Sequence, residues 1–167
     1  MHYHIGFFAE QSAKGSEKSL YFCIMEKEIR KATQSEYPIL VGVWERSVRA
    51  THHFLSEEDL QDIKRDMPLF YLPNVSLYVV ESTDRVAGFI GLSGDMIEML
   101  FVDSDCMGQG YGSELLSFAV AKGLCNVDVN EQNETALKFY QRKGFRVIGR
   151  DEFDSAGRPY PILHLSL

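Results

Sequence analysis

Hydrophobic residues along the chain recur at helical spacing in some segments and at strand spacing in others, which predicts a mixed α/β fold. In the first helix, Ile39, Leu40, Val43, Trp44 and Val48 recur three or four residues apart and should face a core. Three β-rich runs joined by short polar turns predict an antiparallel meander. The predicted strands cover residues 28–32, 75–81, 86–93, 96–102, 125–129, 145–153 and 160–165, and the predicted helices begin at or near Ser35, Ser56, Tyr111 and Asn133.

Capping residues predict where the first two helices begin and end. Ser35 is a suitable N-cap for the first helix, with Pro38 in the first turn, where its missing N–H costs little. Ser56 and Asp59 lie at the spacing of a capping box at the start of the second helix, and Pro68 should end that helix. The first two helices should therefore cover the segment between the first and second strands.

Residues 25–167 are predicted to form a single domain, because no linker, low-complexity tract or repeat interrupts the pattern. Residues 1–24 show little periodicity, and no basic segment precedes a long apolar run, so they do not resemble a secretory signal. We interpret residues 1–24 as an extension or tag outside the fold. Residues 21–24 alone have the composition of a strand.

Composition and charge narrow the class of protein. The hydrophobic fraction of 45% and the charged fraction of 25% are ordinary for a globular protein. A net charge of −7 argues against nucleic-acid binding and is compatible with a cationic substrate. No apolar run reaches the roughly 18 residues that a membrane span needs. Three scattered cysteines lack metal-ligand spacing and a disulfide framework, so we expect a cytoplasmic protein without a metal.

The glycine-rich stretch 106–116 follows an apolar strand and leads into an amphipathic helix. Gly108, Gly110 and Gly112 allow the backbone to approach a ligand closely, and the helix N-terminus offers unpaired N–H groups to a phosphate. From this spacing alone, a turn that serves only packing remains an alternative. The stretch follows a hairpin strand and lacks the full Gly-x-Gly-x-x-Gly pattern, which disfavours a dinucleotide site. No Gly-Lys-Ser/Thr follows, which disfavours a P-loop.

At this stretch the chain resembles the GNAT superfamily of N-acetyltransferases, over roughly residues 26–167. The run 107–112 matches that family's acetyl-CoA loop, Gln/Arg-x-x-Gly-x-Gly/Ala, with Gly110 and Gly112 in place and Met107 where the family has Gln or Arg. Residues 133–145 resemble the family segment Asn-x-x-Ala-x-x-Phe-Tyr-x-x-x-Gly-Phe. The resemblance implies a central mixed, mostly antiparallel sheet of about six to seven strands, flanked by about four helices.

Two further segments extend the resemblance. Residues 100–103 resemble the strand that leads into the family's cofactor loop. Residues 44–52 resemble the substrate-side first helix of some bacterial members. The resemblance thus spans both the donor and the acceptor side of the predicted fold.

The resemblance implies acetyl-CoA as the donor and direct transfer to a primary amine of a small molecule, peptide or protein. It implies that Tyr140 protonates the departing thiolate and that Asn133 contacts the arm of the cofactor. Main-chain groups of Leu100, Phe101 and Val102 would bind the pantetheine arm and polarise the thioester carbonyl. The pyrophosphate would be held by Met107, Gly108, Gln109, Gly110, Tyr111 and Gly112.

The general base is less well defined by the sequence. A lysine-like amine, with an ordinary pKa of about 10.4, is mostly protonated at pH 7, so a group must remove its proton. Glu98 lies two residues before Leu100, so strand alternation would put both on one face. His52, with an ordinary pKa of about 6.5, is the other candidate.

Several of these residues have plainer interpretations. Trp44, His52 and His53 would border the acceptor pocket, but Trp44 could belong to the core and the histidines could simply be exposed. Glu98 could be a solvated strand residue, and Tyr140 a core aromatic. At the level of function, the alternative is a non-catalytic acyl-CoA-binding module.

Overall fold

Seven strands and four α-helices make up the structure, a computed structural model that describes residues 27–83 and 85–167. The predicted extension at residues 1–24 lies outside the described residues. The helices are α1 (Tyr37–Thr51), α2 (Glu57–Asp66), α3 (Tyr111–Ala121) and α4 (Glu134–Arg142). The strands are β1 (Ile29–Lys31), β2 (Ser76–Ser82), β3 (Arg85–Ser93), β4 (Met96–Val102), β5 (Asn126–Asn130), β6 (Arg146–Asp151) and β7 (Ile162–Ser166).

The strands form one mixed sheet in the spatial order β1-β2-β3-β4-β5-β7-β6. Among the described strands, β4 and β5 are the one parallel pair, and the other five neighbouring pairs are antiparallel. The predicted meander is confirmed as β2, β3 and β4. The predicted mixed, mostly antiparallel sheet with about four helices is confirmed as well.

Two apolar clusters cover opposite faces of the sheet. On one face, α1 and the chain around α2 pack on β2 and β3, and the members include Leu40, Val43, Trp44, Val48, Leu60, Met67, Leu72, Val79 and Phe89. On the other face, α3 and α4 pack on β3, β5 and β7, and the members include Ile90, Ile97, Leu115, Leu116, Ala119, Val127, Val129, Tyr140 and Leu165. No helix within residues 27–83 and 85–167 is long and apolar enough to cross a membrane.

The start of α1 differs from the prediction. Thr33 and Glu36, not Ser35, form a capping box, and a short 3-10 turn at Gln34–Glu36 leads into α1. A glutamate three residues after a threonine can accept from the threonine N–H, and Ser35 lacks such a partner. Ile39 is 51% exposed, because it lies about 100° around the helix from Leu40 and falls outside the buried stripe.

The second helix begins at Ser56 and ends just before Pro68, as predicted. Ser56 caps α2 by accepting from the Asp59 N–H at 3.1 Å, whereas the Asp59 carboxylate accepts from the Ser56 hydroxyl at 2.8 Å. A separate, wider helical turn, Met67–Tyr71, follows α2 directly, and Pro68 lies near its start, where the missing N–H is tolerated. This turn carries Met67 and Tyr71 toward β4, where they contribute to a cavity described below.

The pairing between β4 and β5 is short. Met96 pairs with Asn126 and Ile97 with Val127, and no further pairs follow along the two strands. In β4, a bulge leaves Glu98 unpaired between Ile97 and Met99, which pair with consecutive residues of β3. The two strands therefore separate beyond Ile97. The bulge changes the direction of the Glu98 side chain at this point.

A buried aspartate anchors the end of β4. The Asp103 side chain is fully buried and accepts from Arg46 Nε and Nη2 of α1, at 3.0 and 2.7 Å. It also accepts from the Asp105 N–H at 3.2 Å. Burial by itself raises the pKa of Asp103, but these hydrogen bonds outweigh it and hold the pKa below its usual value. Asp103 therefore stays charged and ties α1 to the segment that enters the glycine stretch.

Replacing this aspartate should destabilise the fold. We expect Asp103→Ala to lower the free energy of unfolding by about 2–3 kcal/mol, the loss of charged hydrogen bonds being moderated by the half-exposed Arg46. The matched control is Asp105→Ala, because Asp105 is 69% exposed beside Arg85 and its loss should cost about 0.5 kcal/mol. Urea unfolding of both variants measures the difference, and equal losses would contradict the anchoring role.

Candidate active site

A cavity of about 480 Å³ lies where β4 and β5 separate. The end of α1, the glycine stretch, and the beginning of α4 complete its walls. Most of the predicted site residues line it. They are His52, Glu98, Leu100, Phe101, Val102, Met107, Gly108, Gly110, Tyr111, Gly112, Asn133 and Tyr140.

Three predicted site residues do not line this cavity. Gln109 turns its side-chain amide to the Asp105 carbonyl, at 2.9 Å. His53 is exposed and lines neither this cavity nor the second one described below. Trp44 is 4% exposed and belongs to the core on the α1 side, although it also reaches the second cavity.

The glycine stretch has the backbone geometry of an anion cradle. Gly108 and Gly110 have φ values of +75° and +88°, which residues other than glycine rarely adopt. The first intrahelical bond of α3 joins the Glu114 N–H to the Gly110 carbonyl. The three preceding N–H groups, of residues 111–113, are thus free of intrahelical partners, and their residues line the cavity. This arrangement fits a phosphate group.

Tyr140 lines the cavity. It is 5% exposed and packs between Phe139 and Phe145, with ring centroids 5.1 and 5.5 Å away. Its hydroxyl makes no hydrogen bond to another described residue, and no buried polar side-chain atom of the described residues lacks a partner, so the hydroxyl faces the cavity. Burial raises the pKa of the phenol above its usual value. Tyr140 is therefore a neutral hydrogen-bond donor at pH 7.

His52 lies at the C-terminal end of α1 and is partly buried. Burial, with a smaller contribution from His53, lowers the pKa of His52 from 6.5 to about 4. At pH 7 the imidazole is therefore neutral. A neutral imidazole can accept a hydrogen bond at one ring nitrogen and donate one at the other.

Glu98 borders two cavities. The bulge in β4 breaks the alternation that was expected to put Glu98 and Leu100 on one face: Leu100 packs with the α3 cluster, whereas Glu98 also reaches the α1 side. The second cavity, of about 210 Å³, lies there and shares Glu98, Met99 and Phe101 with the first. Its other walls come from Trp44, Ile63, Met67, Tyr71, Asp154, Ser155, Ala156 and Arg158.

A polar network closes the far side of the second cavity. Arg158 lies between Asp59 of α2 and Asp154, at 3.2 and 3.5 Å. The Tyr160 hydroxyl also donates to Asp59. The loop between β6 and β7 is thereby tied to α2, and its one arginine at the cavity is already paired with carboxylates.

Comparison with known proteins agrees with this architecture. Residues 41–160 match the family profile described as the acetyltransferase (GNAT) domain. The chain belongs to the GNAT acetyltransferase family. It is 43% identical over 143 residues to the peptidyl-lysine N-acetyltransferase YjaB of Escherichia coli K12, a match that covers 83% of this chain and 95% of that protein.

Solved structures of other proteins share the fold of this acetyltransferase. The solution structure of apo YjaB from Escherichia coli is 41% identical, with a TM-score of 0.78 over 85% of this chain and 97% of that one. The crystal structure of PaiA N-acetyltransferase from Thermoplasma acidophilum in complex with coenzyme A is 19% identical, with a TM-score of 0.65 over 86% and 100%. The predicted fold, family and acetyl-CoA-dependent N-acetyltransferase activity are confirmed, and the non-catalytic alternative is not supported.

Further residues that the sequence did not indicate line the larger cavity. Asp128, Val129 and Asn130 form the wall opposite β4. They lie there because β5 pairs in parallel with β4, and no local sequence pattern predicts this pairing. Thr51 also lines the cavity, and its hydroxyl donates to the Ser47 carbonyl at 2.8 Å. The spacing of four residues between Ser47 and Thr51 on a helix is the one signal that could have indicated this bond.

The lowered pKa of His52 predicts a specific loss of stability in acid. Because the folded pKa, about 4, is below the unfolded value of 6.5, the unfolded chain binds the proton more readily. Stability should be unaffected above pH 7 and should fall as the pH drops from 6.5 to 4, by up to about 3 kcal/mol.

Thermal unfolding of the wild type and His52→Gln between pH 7.5 and 4 would measure this loss. His52→Gln lacks the titrating imidazole, so it should not show this loss of stability in acid. The wild type should therefore become less stable relative to the variant as the pH falls. His53→Gln, at an exposed position, is the control and should follow the wild type. Parallel curves for the wild type and His52→Gln would contradict the buried, neutral imidazole.

Proposed function

We propose that this acetyltransferase moves the acetyl group of acetyl-CoA directly to the ε-amino group of a lysine in a peptide or protein. The observation that carries the proposal is the meeting of two cavities at Glu98, Met99 and Phe101, one beside the anion cradle and one on the α1 face. The 43% identity to YjaB, a peptidyl-lysine N-acetyltransferase, supports the acceptor class.

In this proposal the larger cavity holds the donor. The N–H groups at the start of α3 and the backbone of Gly108 and Gly110 would bind the pyrophosphate. The main chain of β4 from Leu100 to Val102, unpaired on the β5 side, would bind the pantetheine arm, with Asn133 on the opposite wall. The coenzyme A complex of PaiA, which shares the fold, supports this use of the cavity.

The smaller cavity would hold the acceptor lysine. Apolar side chains of Trp44, Met67 and Tyr71 suit the aliphatic part of a lysine, and the carboxylates of Glu98 and Asp154 suit its ammonium group. The single arginine in the wall is paired with Asp59 and Asp154, so it does not repel a cation strongly. The net charge of −7 also favours a cationic acceptor.

The proposed reaction proceeds in one ternary complex. The lysine ammonium loses its proton through water to Glu98, which borders both cavities. The amine nitrogen attacks the thioester carbon, and main-chain N–H groups of β4 stabilise the oxyanion. As the bond from carbon to sulfur breaks, Tyr140 donates a proton to the thiolate. The nitrogen then loses its second proton, which passes through water to restore the phenol of Tyr140, and the proton on Glu98 returns to solvent. The products are an acetylated lysine and free coenzyme A.

We also propose that the protein works in the cytoplasm without a metal. Cys106 and Cys125 are free thiols, which supports a reducing compartment. The proposed steps use only a carboxylate, a phenol and main-chain groups. Glu98 receives the proton of the ammonium group, so the proposed steps need no Lewis acid to activate the amine.

Acetyl-CoA and a lysine peptide with a blocked N-terminus should release free thiol and yield a peptide acetylated on the ε-amine. Tyr140→Phe should lower kcat by about 10²-fold to 10⁴-fold, the usual contribution of a general acid, and leave the Kd of acetyl-CoA nearly unchanged. Thiol release, mass spectrometry of the peptide and calorimetric titration of acetyl-CoA measure these quantities.

Two controls make this experiment specific. The same peptide with arginine in place of lysine should not be acetylated. Tyr78→Phe removes a hydroxyl from a ring that packs on Phe118 and lines neither cavity, so it should keep full activity. Acetylation of small amines but of no lysine peptide would overturn the acceptor class, and an unchanged kcat in Tyr140→Phe would overturn its role.

Glu98→Gln tests the assignment of the base. It should lower kcat/KM by about 10²-fold at pH 7, and by less at pH 9.5, where more of the lysine amine is already neutral. Glu58→Gln, at an exposed position on α2, is the matched control and should behave as wild type. An equal deficit of Glu98→Gln at both pH values, or no deficit at all, would contradict proton transfer to Glu98.

A further inference from the structure

A chain of hydrogen bonds crosses from α1 to α4 through the gap between β4 and β5. Thr51 Oγ1 lies 2.8 Å from the Ser47 carbonyl and 2.8 Å from His52 Nδ1. On the other side of the imidazole, His52 Nε2 lies 3.4 Å from Asn133 Nδ2. Asn133 Oδ1 in turn accepts from the Ala136 N–H at 3.1 Å, as the N-cap of α4. The chain thus joins the ends of two helices on opposite faces of the sheet.

The direction of each bond follows from the ends of the chain. The Ser47 carbonyl can only accept, so the Thr51 hydroxyl donates to it and must accept from His52 Nδ1–H. At the other end, the Ala136 N–H can only donate, so Oδ1 of Asn133 faces the helix and Nδ2 faces the histidine. His52 Nε2 therefore accepts. A neutral imidazole with its proton on Nδ1 satisfies every bond.

This arrangement leaves Asn133 fully oriented before any ligand binds. Asn133 is only 8% exposed, with its oxygen used by α4 and one amide hydrogen used by His52. The second hydrogen on Nδ2 has no partner among the residues that the structure describes, and Asn133 lines the larger cavity. The low pKa of His52, about 4, keeps the imidazole neutral and able to accept.

We propose that Thr51 and His52 are positioning residues, which hold the Asn133 amide so that its remaining N–H faces the arm of the cofactor. His52 acts in this role as a permanent hydrogen-bond acceptor rather than as the base. The inference rests on the proposed function, because that function assigns the cavity at Asn133 to acetyl-CoA. In this role Thr51 acts through its hydrogen bond to His52.

Other titratable groups lie near His52, but none of them is hydrogen-bonded to its ring in the described part of the chain. Glu98 and Asp128 border the same cavity from β4 and β5, and Tyr140 from α4. His53, the next residue along the chain, is exposed. None of these groups makes a hydrogen bond to the His52 ring in the described part of the chain, where its two partners are Thr51 and Asn133.

Substitutions at Thr51 test the proposal without touching the reacting groups. Thr51→Val keeps the shape of the side chain but leaves His52 Nδ1–H without an acceptor, so the tautomer is no longer fixed. We expect the Kd and KM of acetyl-CoA to rise about threefold to tenfold, the effect of one displaced hydrogen bond, with kcat changed less than twofold. Thr51→Ser restores the hydroxyl and should restore the Kd to within about twofold of wild type.

Thr83→Val is the matched control, because it removes a threonine hydroxyl in the turn after β2, and it should bind acetyl-CoA as wild type does. Thermal unfolding of all three variants identifies any that fail to fold. An unchanged Kd in Thr51→Val, or a fall in kcat alone, would overturn the positioning role. Failure of Thr51→Ser to restore the affinity would also overturn it.

Nitrogen NMR of the imidazole gives a second readout that needs no reaction. In the wild type, Nδ1 of His52 should carry the proton and Nε2 should be bare from pH 5.5 to 8, and Thr51→Val should mix the two tautomers. A proton on Nε2, or protonation of the ring near pH 6.5, would overturn the proposal. Both NMR and the Kd are measured without an acceptor, so a failure to acetylate lysine peptides would count against the proposed function alone.

Discussion

The early separation of β4 from β5 is the constraint on which the site depends. Backbone N–H and C=O groups that leave a ladder need other partners, and β4 loses those of β5 after two residue pairs. The gap has room for a cavity of about 480 Å³, and its wall is a strand with main-chain groups available to a ligand. The same gap lets His52, on the α1 side, reach Asn133, on the α4 side.

The free-energy cost of burying a charge determines which side chains around the gap between β4 and β5 are charged. Asp103 is fully buried, and it keeps its charge because Arg46 and a backbone N–H satisfy it. Inside the cavity, His52 and Tyr140 are polar but neutral, because burial shifts the pKa of each away from its charged form. The carboxylate of Glu98 is exposed where the two cavities meet. The interior thus offers oriented donors and acceptors, with an ionisable carboxylate at its border.

The sequence predicted the parts of the site that depend on neighbouring residues along the chain. The glycine stretch was predictable because Gly108 and Gly110 adopt φ values that glycine favours, and α4 because Asn133 is a local cap. The face of the sheet to which Glu98 points was not predictable, because a bulge in β4 shifts the register by one residue without a signal in the hydrophobic pattern. The wall formed by β5 depends on a parallel pairing between distant segments. The helical spacing of Trp44 predicted that it faces a core, but whether Trp44 and His53 also border a cavity depends on the packing around α1.

The positions of Glu98 and Tyr140 separate the two proton transfers that we propose. A lysine amine must lose a proton while the thiolate must gain one, and a single residue could do both only by moving between the two reacting atoms. Glu98 reaches the α1 side through the bulge, whereas Tyr140 belongs to the cluster on the α3 and α4 side. The acceptor's proton would therefore leave toward one face of the sheet, and the leaving group's proton would come from the other. A neutral His52 between the two faces fits this division, because a histidine that titrated near pH 7 would compete with Glu98 for the proton.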